Sequence, residues 1–108
     1  MKPFFISDNN AWQPAGEGIT RQITGHNNGL MMVKVAFEKG AVGTPHSHPH
    51  TQACYVASGM FEVVIDGNKQ VLKAGDTFFV QPKLVHGVVC LEAGVLIDVF
   101  NPHREDFL

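Results

Sequence analysis

The sequence predicts an all-β chain folded as a closed barrel or a two-sheet sandwich, and three observations lead there. The apolar segments are short and rich in Val, Ile, Phe and Met, residue types that suit a pleated surface. Glycine recurs at 11 positions, leaving few windows long enough for a helix. Turn residues punctuate the chain every several residues, as they do in many-stranded barrels and sandwiches.

Strands are predicted over Gly18–Thr24, Leu30–Glu38, Gln52–Ala57, Met60–Asp66, Lys69–Lys73, Thr77–Val80, His86–Leu91 and Val95–Phe100. In the second of these, Met31, Val33, Val35 and Phe37 form an apolar face, while Lys34 and Glu38 mark a wet one. Met31, Met32 and Met60 are expected to fill the core, and Trp12 to pack under the N-terminal segment. Asp66-Gly67-Asn68 is the turn of a hairpin. Along the last strand, Val95, Ile97 and Val99 share one face, and Leu96 and Phe100 flank Asp98 on the other. Both faces therefore read as covered, and a second copy of the chain is expected over part of the sheet, making a homodimer. In the tail NPHREDFL, turn chemistry is followed by Phe107 and Leu108, which are expected to fold back onto the barrel.

Size and charge narrow the partners. A chain of 108 residues has room for one compact core. No apolar run approaches the roughly 20 residues that cross a bilayer, and a net charge of −2 without basic clusters gives no electrostatic footprint for nucleic acid or for a membrane surface. The start, MKPFFISDNNAW, lacks the pattern of a secretory signal, so a cytoplasmic protein is expected, with Cys54 and Cys90 as reduced, buried thiols.

The chemistry concentrates between Gly40 and Gly59, where His46, His48, His50 and Gln52 stand two residues apart. On an extended strand such residues point to one face, and several imidazoles converging on a point make a ligand array for a divalent first-row ion. His86 lies farther along. Solvated histidine-rich loops are common, but three histidines alternating around Pro49 in an apolar chain favour a metal site.

These residues resemble the cupin family of small jelly-roll barrels. Gly40 is followed after five residues by His46-Ser47-His48, after three more by Gln52, where a glutamate is usual, and after six by Gly59. The second motif is looser: Gly75 leads into DTFFV, Gln81 replaces the usual proline, Lys83 the usual glycine, and Cys90 the common asparagine, with His86 two residues after Leu84. The resemblance covers about half the chain and implies a single-domain cupin jelly-roll barrel over residues 1–108. It also implies one divalent metal ion, of nickel, zinc, manganese or iron, on His46, His48, Gln52 and His86. His50 is left over, for the site entrance or for an exposed loop. Because the amide of Gln52 is neutral, such a centre keeps a charge near +2 and should attract an anionic substrate.

The ending VLIDVFNPHREDFL narrows the resemblance to the small cupins of pectin and alginate breakdown, which convert 4,5-unsaturated uronate monosaccharides to linear ketonised sugars. By that likeness the substrate is a small anionic sugar, Asp98 and Arg104 are catalytic, and Phe100 and Arg104 bind substrate. Arg104 would return from the tail to grip a carboxylate with two parallel hydrogen bonds, and Asp98, flanked by apolar groups, would move protons. A plain ion pair between Asp98 and Arg104 is the structural alternative. Two other activities stay open at this level: a metal-dependent dioxygenase, and a sugar-binding module without chemistry.

Overall fold

The computed structural model describes residues 3–108. Its strands are β1 (Gln13–Gly16), β2 (Ile19–Asn27), β3 (Leu30–Phe37), β4 (Val42–His46), β5 (Thr51–Ile65), β6 (Asn68–Lys73), β7 (Thr77–Val80) and β8 (His86–Asn101). The helical elements among the described residues are two single 3-10 turns, Ser7–Asn9 and Glu105–Phe107. All strand pairs are antiparallel, in the order β1-β2-β3-β8-β5-β6, with β4 on the other side of β8 and β7 on that of β5.

Two pairs of predicted strands turn out to be single long ones. Gln52–Ala57 and Met60–Asp66 merge into β5, and His86–Leu91 and Val95–Phe100 merge into β8. Gly59 and Gly94, expected to stop strands, are instead the points where these two long strands bend against each other, with register shifts between Val56 and Phe61. A Cβ on Gly94 would lie 2.1 Å from the Ser58 carbonyl oxygen, and one on Gly59 would lie 2.6 Å from that of Glu92. Only glycine fits where the two backbones approach so closely. Each long strand thereby passes from one half of a jelly roll to the other: β1, β2, β3 and β7 flank one half of the β5–β8 pair, and β4 and β6 flank the other.

The predicted hairpin is present between β5 and β6, where Ile65 pairs with Asn68 across Asp66 and Gly67. Both turn residues have positive φ, 49° and 81°, the requirement of a type I′ turn and the reason for the Asp-Gly choice. Strands β1 and β4 were not predicted; both are short, and each carries a proline.

Register sorts the residues into an inside and an outside. On the inside, one row runs Ile23–Val33–Asp98–Cys54–Phe78 and the next Arg21–Val35–Leu96–Val56. The closed end of the barrel is apolar, built from Ile19, Phe37, Val56, Phe61, Val63, Cys90 and Leu96, and Phe37 meets Phe61 edge to face at 5.2 Å. Met31 is fully buried as expected, whereas Met32 is 45% exposed because strand alternation turns it outward, and Met60 is only partly buried. Cys54 and Cys90 are free and buried. Phe107 packs on Phe100 at 5.8 Å, but Leu108 is exposed. Among the described residues, no helix is long and apolar enough to cross a membrane.

Candidate metal centre and its cavity

At the open end of the barrel the chain brings three histidines together from separate segments. His46 ends β4 and pairs across the ladder with His86, the first residue of β8. His48 lies in the connection to β5, and Gln52 is the second residue of that strand. The expectation that His46, His48, His50 and Gln52 share one extended strand is therefore corrected. Residues 47–50 form no strand, and convergence comes from the β4–β8 ladder together with the turn of the connection.

One ring nitrogen from each of His46, His48 and His86 lies within 4.8 Å of the others. Each ring is fixed from behind. The Nδ1–H of His46 donates to the Thr44 carbonyl at 2.8 Å, that of His86 to Leu84 at 2.9 Å, and that of His48 to His50 at 3.2 Å. Such bonds leave each Nε2 with its lone pair turned inward, the tautomer a metal-ligating imidazole needs. The Nε2 of His86 is buried without any hydrogen-bond partner, an orphaned donor atom of the kind that metal ligation satisfies. Burial, the largest cause in both cases, holds His48 and His86 below the ordinary histidine pKa and so keeps them neutral. The donor set and its anchoring fit a divalent cation.

Gln52 connects this cluster to the interior of the barrel. Gln52 Oε1 lies 3.0 Å from His48 Nε2, and Gln52 Nε2 donates to Asp98 Oδ1 at 3.0 Å. Desolvation pushes the Asp98 pKa up, opposed by hydrogen bonds from Cys54 and Gln52 and by the charges of Arg104 and His46. The Cys54 thiol is pushed up strongly, first by burial and then by the adjacent Asp98. Asp98 is thus a carboxyl that readily holds a proton, and Cys54 is no nucleophile.

His46, Gln52, His86, Asp98, Phe100 and Arg104 all line one cavity of about 940 Å³. Arg104 does return from the tail, but it does not pair with Asp98. Its Nε and Nη2 donate to the two oxygens of Asp106 at 3.0 and 2.8 Å, and its guanidinium lies 4.3 Å from the Phe107 ring centroid and 5.1 Å from that of Phe100. The alternative of a simple Asp98–Arg104 ion pair is set aside by this geometry. His50 does not enter the cluster. Its Nε2 donates to the His103 carbonyl at 3.1 Å, tying the tail to the histidine connection. Trp12 is 40% exposed, with Lys34 Nζ 5.8 Å from its ring, and Tyr55 lies on the outer face.

One lining residue escaped the reading of the sequence. Arg21 faces the same cavity from β2. The signal was present in GITRQITG, where Ile19, Arg21 and Ile23 alternate on one side, so that a cation stands in an otherwise apolar row.

A jelly roll with a trio of inward-turned imidazoles at its mouth is the signature of a cupin. The model of the cupin domain family matches residues 33–100, and the chain belongs to that family. Along its full length it is 53% identical to the pectin degradation protein KdgF of Dickeya dadantii, with 100% of both chains covered. Two solved structures are also similar: KdgF from a Halomonas species, at 44% identity and a TM-score of 0.95 with 100% of each chain covered, and an RmlC-like cupin from Shewanella frigidimarina, at 46% identity and a TM-score of 0.97, covering 100% of this chain and 97% of that one.

Proposed function

We propose that the chain is a metal-dependent enzyme that opens the ring of 4,5-unsaturated uronate monosaccharides to linear ketonised sugars in the breakdown of pectin or alginate. The observation that carries this reading is the meeting, in one cavity, of two members of the histidine trio, a carboxyl of raised pKa and an arginine fork. The likeness to pectin degradation proteins over the full chain supports it.

The reaction is an isomerisation. A proton leaves the hydroxyl on C1, the bond from C1 to the ring oxygen breaks to give an aldehyde, and the ring oxygen becomes an enol oxygen. Protonation at C4 then leaves a ketone at C5. No atom is gained or lost. His46, His48, Gln52 and His86 would hold the divalent ion, which supplies Lewis acidity for oxygens on which negative charge develops. Asp98 takes the hydroxyl proton and returns one to C4, a role suited to a carboxyl titrating nearer neutrality than usual. Gln52 fixes its Oδ1 by the 3.0 Å hydrogen bond. Arg104, by exchanging Asp106 for the substrate carboxylate, orients the sugar with two parallel hydrogen bonds, and Phe100 forms the apolar wall beneath.

Adding 4,5-unsaturated galacturonate to the metal-loaded protein should hasten loss of the alkene absorbance, equally well without oxygen, which would exclude a dioxygenase. Arg104→Ala is expected to lower kcat/KM by at least tenfold. A rate no faster than the uncatalysed one in every metal form would end the proposal.

We further propose that the enzyme works as a homodimer. Two rows on the outer face, Met32–Val99–Ala53–Phe79 and Lys34–Ile97–Tyr55–Thr77, cross four strands and are largely apolar. Met32, Tyr55 and Phe79 are 45%, 46% and 54% exposed in the single chain. Sedimentation at micromolar concentration tests this: Phe79→Glu should give a monomer where the parent chain is dimeric.

A further inference from the structure

Arg21 is a charged side chain where the fold calls for an apolar one. The register of β2 on β3 puts it opposite Val35, in the inner row that continues through Leu96 and Val56, with Ile19 and Ile23 as its neighbours on the same face. A guanidinium at such a position is costly unless something uses its charge. Its Nε is buried without a hydrogen-bond partner, and no carboxylate lies within ion-pair distance of it among the described residues. What it has instead is an aromatic face: its guanidinium carbon sits 3.9 Å from the centroid of Phe107.

The same ring carries Arg104 at 4.3 Å. Two cations therefore converge on Phe107 at one wall of the cavity, and the single acid between them, Asp106, is already spent on both prongs of Arg104. Beside Phe107 two guanidinium groups therefore share one carboxylate, and Arg21 lines the same cavity as His46, His86 and Asp98. We propose that Arg21 is a second anion-binding residue of the cavity, which acts with Arg104 to select sugars that carry a carboxylate. Arg104 contributes the fork that orients the carboxylate; Arg21 contributes a second guanidinium charge held in place by the ring. The inference rests on the reading of the cavity as a uronate site, and it assigns to that site a specificity-determining residue on a strand far in sequence from the tail.

The test is a binding comparison on the metal-loaded full chain, using galacturonate, which lacks the alkene and is not turned over, and its neutral methyl ester. Calorimetric titration should show the parent protein preferring the acid. Arg21→Met is expected to reduce that preference about tenfold, the worth of one charge-assisted hydrogen bond in a partly desolvated site, while leaving affinity for the ester unchanged. Phe107→Leu should reduce it far less, because both cations remain. Equal losses in Arg21→Met and Phe107→Leu would mean that Arg21 only pins the tail, and would overturn the proposal. Should methionine not be tolerated in the barrel, Arg21→Lys keeps the charge without the fork and should lose about threefold; an unchanged acid preference in either folded variant also overturns it. Failure of the parent protein to open an unsaturated uronate would sink the functional reading and leave this comparison standing.

Discussion

The two ends of the barrel are built from the same two strands and obey opposite rules. Toward the closed end, β5 and β8 turn Phe61, Val63 and Cys90 inward, and these meet Ile19, Phe37 and Leu96 in a continuous apolar cluster. Toward the mouth the same strands turn in Gln52, Asp98 and His86, with His46 and His48 beside them. Burial of apolar surface stabilises the first end. The second end carries buried polar groups whose hydrogen-bond chains are completed only in part, since His86 Nε2 has no partner. One end therefore holds the fold together and the other spends stability on chemistry, the division expected when a site is set on a rigid scaffold.

The sharpest way to break this contrast is at Asp98. Asp98→Asn keeps a group that can accept from Gln52 but cannot shuttle a proton, and kcat is expected to fall by about 10²–10⁴. Because the fold disfavours the ionised carboxyl, the same substitution should raise stability at neutral pH by about 1 kcal/mol. A loss of activity accompanied by a comparable loss of stability would show that Asp98 is structural. The complementary change is Phe61→Ala at the closed end, which should cost about 3–5 kcal/mol of unfolding free energy while leaving turnover per folded molecule close to that of the parent. Denaturant titration with activity measured on the same samples separates the two effects.

A smaller effect concerns the histidines. In the metal-free protein His48 and His86 have pKa values held below 6.5, mainly by burial. The unfolded chain therefore takes up protons at a higher pH than the folded one. The associated stability is complete above pH 6.5 and is lost as pH falls through the lower folded values. Asp98, whose folded pKa is raised, works in the opposite direction within the carboxylate range. The unfolding temperature of metal-free protein should drop on going from pH 7.5 to pH 5.5, and replacing His86 with Gln should flatten that drop; an unaltered slope would place the sensitivity elsewhere.

How much of this was legible in the sequence depends on the range of the interaction. Local rules sufficed for the Asp66-Gly67 turn, for the face of β3 that buries Met31 and Val33, and for the inward pair Asp98 and Phe100. They failed at Gly59 and Gly94, because a glycine that ends a strand and a glycine that lets two strands touch look alike until the partner is known. The histidines could be picked out by residue type and spacing, but the device that gathers them could not: the β4–β8 ladder pairs residues 40 apart in sequence. Arg21 was overlooked for a related reason, since its meaning lies in facing inward, and that follows from the register of β2 on β3 rather than from its neighbours along the chain.

Imidazoles from two segments, His46 and His48 in one and His86 in the other, are proposed to hold a cation at the mouth of this barrel. The direct measurement is metal content per chain after reconstitution and removal of free ion, on the parent protein and on His86→Ala. About one equivalent of a divalent metal in the parent, with the variant nearly empty yet folded, is the expected result. Equal occupancy in the two proteins, or none in the parent with any of nickel, zinc, manganese or iron, would contradict the account.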